Sequence, residues 1–241
     1  MSYPHVHELC LVSTSVFSSN AHQYGIASNT AGGTHHATPN HGAGYTILND
    51  LAVASNYLTK TAFHETSTSS VEKVLIIDCD VHQGDGTAKF TASNIIGSDR
   101  MVTLSIHCQD NYPHQKATST FDIGLPSNCS DDKYMKALQD AVLHAMDEKQ
   151  PDFVLYNAGV DIYEHDSLGK LCISMEGIRK RDRWVLETCI QRDIPIAAVI
   201  GGGYDKDVEA LARRHAIVHE ECAYVWRKYR MWERASASAS A

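Results

Sequence analysis

The sequence predicts an α/β fold in which a mostly parallel β-sheet is sandwiched between α-helices. Short runs dense in Val, Ile, Leu and aromatic residues do not alternate with polar ones, and continuous apolarity is what a strand covered on both faces requires. Segments with helical spacing lie between these runs, and regular alternation of strand and helix is the pattern of a parallel sheet.

In chain order, a helix is expected over 46–58 (TILNDLAVASNYL), then strands over 74–77 (VLII) and 102–106 (VTLSI). The helix expected over 132–147 follows Ser130 and Asp131, both good caps, and carries Tyr134, Leu138, Ala141, Val142 and Ala145 on one face. A strand over 153–156 (FVLY), a helix over 175–191, a strand over 196–200 (IAAVI) and a helix over 207–232 complete the pattern. Trp184, Trp226 and Trp232 are expected to pack helices onto the sheet. The cluster Arg179, Lys180, Arg181 and Arg183 shares its helix with Ile178, Val185 and Leu186, so it reads as a solvated face rather than a localisation signal.

The 241 residues suit one domain over 1–234, followed by a disordered Ala/Ser tail over 235–241. The longest apolar run, 194–200, is far short of the ~20 residues that span a bilayer. Lys and Arg total 21 against 29 Asp and Glu, so a net charge of -8 provides no general attraction to nucleic acid. The first 59 residues hold no Lys or Arg and so lack the charged start of a secretory signal or a transit peptide. The cysteines are scattered, with no CxxC spacing, which indicates a reducing, intracellular setting and no cysteine metal site.

Chemistry collects where ligands bind in open parallel sheets, just after the strands. VLII is followed by Asp78, Cys79, Asp80, Val81 and His82; FVLYNAGV by Asp161; IAAVIGGG by Tyr204 and Asp205. If extended geometry continues past Ile77, Asp78, Asp80 and His82 share one face. Carboxylates gathered in a desolvated site repel unless a cation or proton relieves them. A divalent metal held by Asp80, His82 and Asp161 is the simplest relief, and three protein ligands leave a position open for water. The plainer reading of the same string has Asp78 and Asp80 capping a turn and His82 on the surface.

The tandem His35 and His36 lie between glycine-rich turns, where both rings can face one cavity, and Asp78 and Asp85 are natural orienting carboxylates. Gly201, Gly202 and Gly203 place Tyr204 after a buried strand, where its hydroxyl could meet a developing oxyanion. GGGYDK lacks the third glycine of a dinucleotide fingerprint, and GDGT at 84–87 is followed by no GKS or GKT.

Together, AGGTHHA, GAGYTILNDLAVA, VLIIDCDVHQGDGT, VLYNAGVDIYEHDSLGKLCIS, EGIRKRD and GGGYDKDVEALARRHA resemble the zinc-dependent histone deacetylase family, particularly its class IV and bacterial-type members. The resemblance runs from about Tyr24 to Cys222 and implies the arginase/deacetylase fold. It further implies Zn2+ on Asp80, His82 and Asp161, with His35 and His36 as the acid/base pair, oriented by Asp78 and Asp85 respectively. By the same resemblance Tyr204 polarises the amide carbonyl, Tyr45 and Tyr112 wall the substrate tunnel, and Ser105 with the Asp78 loop holds a structural K+. The implied reaction is hydrolysis of an N-acyl-lysine amide in a protein or peptide, histones included, at a cytoplasmic or nuclear location.

Departures from the family pattern are Gln83, where many members carry a second histidine although the class IV and bacterial-type pattern accepts glutamine, and Asp205 in place of the more usual asparagine, which adds negative charge near the pocket mouth. Only 34 residues precede His35, where the family has a longer segment, so lowered stability and self-association are expected. Two alternatives remain at this point. One is a weakly active or inactive deacetylase-like protein that binds acyl-lysine or partners; the other is a dinuclear manganese ureohydrolase, which would need further carboxylates beside Asp161.

Overall fold

The computed structural model of the protein describes residue 21, residues 24–59 and residues 71–233. The elements are β1 (Ile26–Asn29), α1 (Asp50–Leu58), β2 (Val74–Asp78), α2 (Asp85–Ala92), β3 (Met101–Cys108), β4 (Phe121–Leu125), α3 (Asp131–Lys149), β5 (Phe153–Asn157), α4 (Met175–Gln191), β6 (Ile196–Val199) and α5 (Val208–Lys228). All strand pairs are parallel, in a 6-stranded sheet of order β1-β6-β5-β2-β3-β4. The chain runs outward from β2 through β3 to β4, then returns to β5 on the other side of β2. The junction of β2 and β5 is therefore the topological switch point, where a crevice opens beyond the strand ends.

The predicted strands are the interior ones, β2, β3, β5 and β6. Their continuous apolarity serves two covers. Leu75, Ile77, Val102, Leu104, Val154 and Tyr156 pack with α3, α4 and α5, while Val74, Ile76, Met101, Phe153 and Leu155 pack with α1. Each buried aliphatic side chain contributes about 1.5–3 kcal/mol, so the two clusters hold the sheet from both faces. The edge strands β1 and β4 and the helix α2 were not predicted. An edge strand has a single paired neighbour, and β4 is only partly covered, so neither needs an unbroken apolar run. The sequence of α2, DGTAKFTA, has too few apolar residues to show a helical period.

Several ends differ from expectation. Residues 46–48 precede α1, because Ala43 and Thr46 exchange backbone hydrogen bonds of 2.9 Å, and the Asn49 side chain caps the helix by accepting from Ala52 N at 2.9 Å. Ser130 makes no side-chain cap bond, and Asp131 serves the next helix instead. Its carboxylate accepts from Ser174 N at 2.8 Å and from Ser174 Oγ at 2.5 Å, while Ser174 Oγ caps α4 through Gly177 N. The last helix stops at Lys228, leaving Trp232 43% exposed, whereas Trp184 and Trp226 do pack on the core. The basic cluster is not one solvated face. Arg179 and Arg183 pair with Glu221 of α5 at 2.6 and 2.7 Å, and Arg181 is wholly buried.

The described cysteines are all free. Among the described residues no helix is long and apolar enough to cross a membrane. The expected tail over 235–241, the first 20 residues and Cys10 lie outside the described residues.

His215 of α5 lies behind Gly203, and its Nδ1 has no hydrogen-bond partner. Burial, reinforced by the charge of Arg214, lowers its pKa to about 4. Below an unfolded value of about 6.5 the unfolded chain binds a proton that the folded chain refuses, so stability falls as pH drops from there towards the folded value. Thermal unfolding should show a lower Tm at about pH 5 than at about pH 7, and a smaller difference in His215→Gln.

Candidate active site

The ends of β2, β5 and β6 deliver the acidic groups. Pairing of β2 ends at Asp78, in register with Asn157 of β5 and Ser105 of β3. Beyond it the chain does not stay extended. Asp78 Oδ1 accepts from Asp80 N at 3.2 Å and Asp80 Oδ1 from His82 N at 2.9 Å, so each carboxylate folds onto the amide two residues ahead. The turns still bring Asp80 and His82 to Asp161, which follows β5. One donor atom from each of the three lies within 4.8 Å of the others, and all three residues are buried.

This donor set fits a divalent cation. His82 Nδ1 stands 3.1 Å from Asp80 and 3.2 Å from Asp161. Asp161 Oδ1 accepts from Val81 N at 2.8 Å, but the buried Oδ2 has no hydrogen-bond partner. Burial and the adjacent Asp80 carboxylate push Asp161 up to about 7. Burial opposes a charge on His82, but the Asp161 and Asp80 carboxylates beside the ring outweigh it and raise it to about 10. Three buried carboxylates, Asp78, Asp80 and Asp161, meet two imidazoles here, and a divalent cation would relieve the excess of negative charge. One imidazole and two carboxylates are ordinary zinc ligands.

The histidine loop is held from beneath by the start of α1. Asp50 accepts from Gly33 N at 3.1 Å, Thr34 N at 2.8 Å and Thr34 Oγ1 at 2.6 Å. Asn49 Nδ2 donates to the His35 and Ala37 carbonyls at 3.3 and 3.1 Å. The two rings consequently lie side by side, centroids 4.1 Å apart. His35 Nδ1 meets Asp78 Oδ2 at 2.6 Å, and His36 Nδ1 meets Asp85 Oδ1 at 2.8 Å. Burial disfavours charge on both rings. For His35 the Asp78 and Asp80 carboxylates win and raise it to about 9; for His36 burial and the neighbouring His35 keep it below its ordinary value. The pair is thereby split into one cationic and one neutral imidazole.

His36, His82, Tyr45, Tyr112, Tyr204, Asn111, Gly44 and Leu168 line a pocket of about 400 Å3. Tyr112 meets the His36 ring edge-on at 5.0 Å, and Tyr204 meets the His82 ring edge-on at 6.2 Å. Tyr45, 87% exposed, stands at the rim. Burial and the Asp80 and Asp161 carboxylates raise the Tyr204 pKa well above the ordinary phenol value, so the hydroxyl stays a donor. The Ser105 hydroxyl lies 3.0 Å from His107 Nδ1. Asp205 does not leave a free charge at the mouth, because Arg214 pairs with it at 2.6 Å.

The glycine run is explained by the site. Gly201 adopts φ 63° and packs so closely on Gly159 that no Cβ fits. Gly202 N donates to Asp80 Oδ2 at 2.8 Å, fixing one ligand.

The family model of the histone deacetylase domain matches residues 6–221. The chain belongs to the histone deacetylase family. It is 42% identical over 205 residues to an uncharacterized protein of Picosynechococcus sp., covering 85% of this chain and 64% of that protein. It is 32% identical over 189 residues to Histone deacetylase 2 of Arabidopsis thaliana, covering 77% and 46%. The chain thus spans 64% and 46% of the length of these curated relatives. An acetylpolyamine aminohydrolase from Burkholderia pseudomallei superposes with a TM-score of 0.67 over 89% of this chain and 62% of that one, at 19% identity, a likeness of fold. The fold is that of the arginase/deacetylase superfamily, as the motifs implied.

Within the family frame, Gln83 turns away from the triad. Its side chain donates to Ala117 O and Asp122 and accepts from Ala117 N at 2.8 Å, tying the loop after β3. Residues that the sequence reading did not single out also shape the site. Asn157 Nδ2 donates to Asp78 Oδ1 at 2.8 Å, Asp166 accepts from Tyr204 N at 2.7 Å, and Lys89 Nζ donates to Asp85 Oδ2 at 2.8 Å. Asn157 had a usable signal, since it ends an apolar run just as Asp78 does.

Adding a Cβ at Gly202 would overlap Asp161 Oδ2 and stand 2.6 Å from Asp80 Oδ2. Gly202→Ala is therefore expected to fold and yet to hold a divalent metal ion more weakly, by on the order of 10-fold or more, as displacement of groups that orient ligands typically does. Metal content after gel filtration, compared with the melting curve, checks this.

Proposed function

We propose that the chain is a zinc-dependent deacylase that hydrolyses the N-acyl amide of lysine side chains in proteins or peptides, with histones among the substrates. The observation that carries the reading is the convergence, at one pocket, of a ligand triad and two imidazoles each bound to its own carboxylate. Asp80, His82 and Asp161 would hold the zinc, and a structural potassium ion would sit by Asp78 and Ser105. Zinc when bound supplies a Lewis acid for the amide carbonyl and acidifies a water molecule.

The chain's own groups do the rest. The acyl-lysine stem enters between Tyr45, Tyr112 and Leu168. His36, neutral and with Nδ1 engaged by Asp85, takes the proton of the attacking water through its other ring nitrogen. The protonated Tyr204 hydroxyl donates to the carbonyl oxygen as negative charge grows there. His35, kept cationic by Asp78 and Asp80, gives a proton to the lysine nitrogen as the carbon–nitrogen bond breaks. The products are a carboxylic acid and a free lysine amine.

The decisive test is hydrolysis of acetyl-, crotonyl- and myristoyl-lysine fluorogenic peptides with and without chelator. Chelator-sensitive cleavage is expected. Hydrolysis of an acetylated polyamine but of no peptide would reassign the substrate, and no hydrolysis with acyl-lysine binding retained would favour a binding protein. Tyr204→Phe should keep its metal and lose about 10² to 10³ in turnover, since the hydroxyl acts on charge that appears in the transition state. His36→Ala should also retain zinc, whereas Asp80→Ala should not; atomic absorption on the purified variants separates the two classes.

A further inference from the structure

Arg181 is the one cluster member that turns inward, and its environment has no part in the chemistry above. It lies on α4 three residues after Ile178 and four before Val185, on the buried face. The guanidinium is fully buried. It donates from Nη1 to Cys79 O at 3.2 Å and Gly159 O at 2.6 Å, and from Nη2 to Ala158 O at 3.1 Å. Its Nε donates to Asp182 Oδ1 at 2.9 Å, and Tyr156 Oη donates to the same oxygen at 2.5 Å.

The positions of those carbonyls matter. Cys79 O belongs to the peptide unit that leads into Asp80, and Ala158 and Gly159 stand just before Asp161. The β2–β5 ladder ends at Asp78 and Asn157, with one further backbone bond from Cys79 N to Asn157 O at 3.0 Å. Past that point no backbone hydrogen bond joins the two described chains, although Gly159 still lies against Asp80, where a Cβ would come within 2.8 Å of the Asp80 Cα. A planar fork with fixed donor directions spans both chains where the ladder stops. Lysine, with one nitrogen on a flexible stem, has no such reach.

We propose that Arg181 is a positioning residue that sets the separation of the Asp80 and Asp161 ligands by clamping the backbones that carry them. The inference rests on the reading that Asp80, His82 and Asp161 bind a metal ion. Asp182 and Tyr156 hold the guanidinium in plane, and the arrangement acts on metal affinity rather than on substrate.

The test compares the wild-type chain with Arg181→Lys, which keeps the charge beside Asp182, and with Arg181→Met combined with Asp182→Asn, which removes both charges together. Arg183→Met, on the same helix but paired with Glu221, is the control. Zinc dissociation constants are measured by competition with a chromophoric chelator, the visible spectrum of the Co(II)-loaded protein reports ligand geometry, and thermal unfolding is followed on the metal-free proteins. The expected result is cooperative unfolding in both Arg181 variants, zinc affinity lower by about 10- to 100-fold, an altered Co(II) spectrum, and wild-type values for the control. Wild-type zinc affinity and spectrum in either folded Arg181 variant would overturn the proposal while leaving the metal reading intact. Failure of both variants to fold would overturn it too, by assigning Arg181 to the scaffold alone. If the wild-type chain binds no zinc, the metal reading fails and this inference falls with it.

Discussion

Buried negative charge at the junction of β2 and β5 organises the molecule. Asp78, Asp80 and Asp161 sit together at the carboxyl ends of adjacent strands, where water is excluded and ionised carboxylates are costly unless paired. Asp78 is satisfied by His35 and Asn157. Asp80 receives the amides of His82 and Gly202. Asp161 has one oxygen bonded to Val81 N and one that makes no hydrogen bond, 3.2 Å from His82 Nδ1. The chain thus answers part of the charge itself, and a divalent cation on Asp80, His82 and Asp161 would relieve the remainder.

A parallel sheet positions such a cluster well up to the last ladder bond and not beyond it. The structure solves the problem with polar side chains that grip loop backbone. Asp50 and Asn49 hold the histidine loop, Asp166 holds the Tyr204 amide, Asp131 and Ser174 lock the starts of two helices, and Arg181 reaches three carbonyls. Where loops must touch one another, no side chain fits, which is why the segment after β6 is glycine.

The electrostatic field then sorts like groups into different states. Two adjacent histidines differ because one ring faces Asp78 and Asp80 while the other feels mainly burial and its cationic neighbour. The Tyr204 phenol is kept protonated by the same carboxylates that would hold a metal. Asp205, which by charge alone adds to the acidity of the mouth, is neutralised by Arg214 from α5. Membership of the histone deacetylase family is consistent with a hydrolytic site, and the relatives are longer proteins than this chain.

The sequence by itself determined the interior of the sheet and the ligand string. Apolar runs buried on both faces cannot be mistaken for solvated segments, and Asp, His and Gly directly after them have few structural uses. It did not show β1 and β4, because edge strands need only partial cover, nor where α1 begins, because Asn49 outcompetes Thr46 as a cap through its bond to Ala52 N. Arg181 was misplaced for a different reason. Charge suggested a solvated helix face, while helical spacing from Ile178 put the residue inside, and only the carbonyls waiting at the ends of β2 and β5 decide between the two. The motifs already implied that Asp78 serves His35 and Asp85 serves His36, and the structure has these pairs at 2.6 and 2.8 Å; tertiary structure alone decided that Asp161 Oδ2 makes no hydrogen bond and that Gln83 faces a loop, since each depends on distances between segments far apart in the chain, which local pattern does not encode.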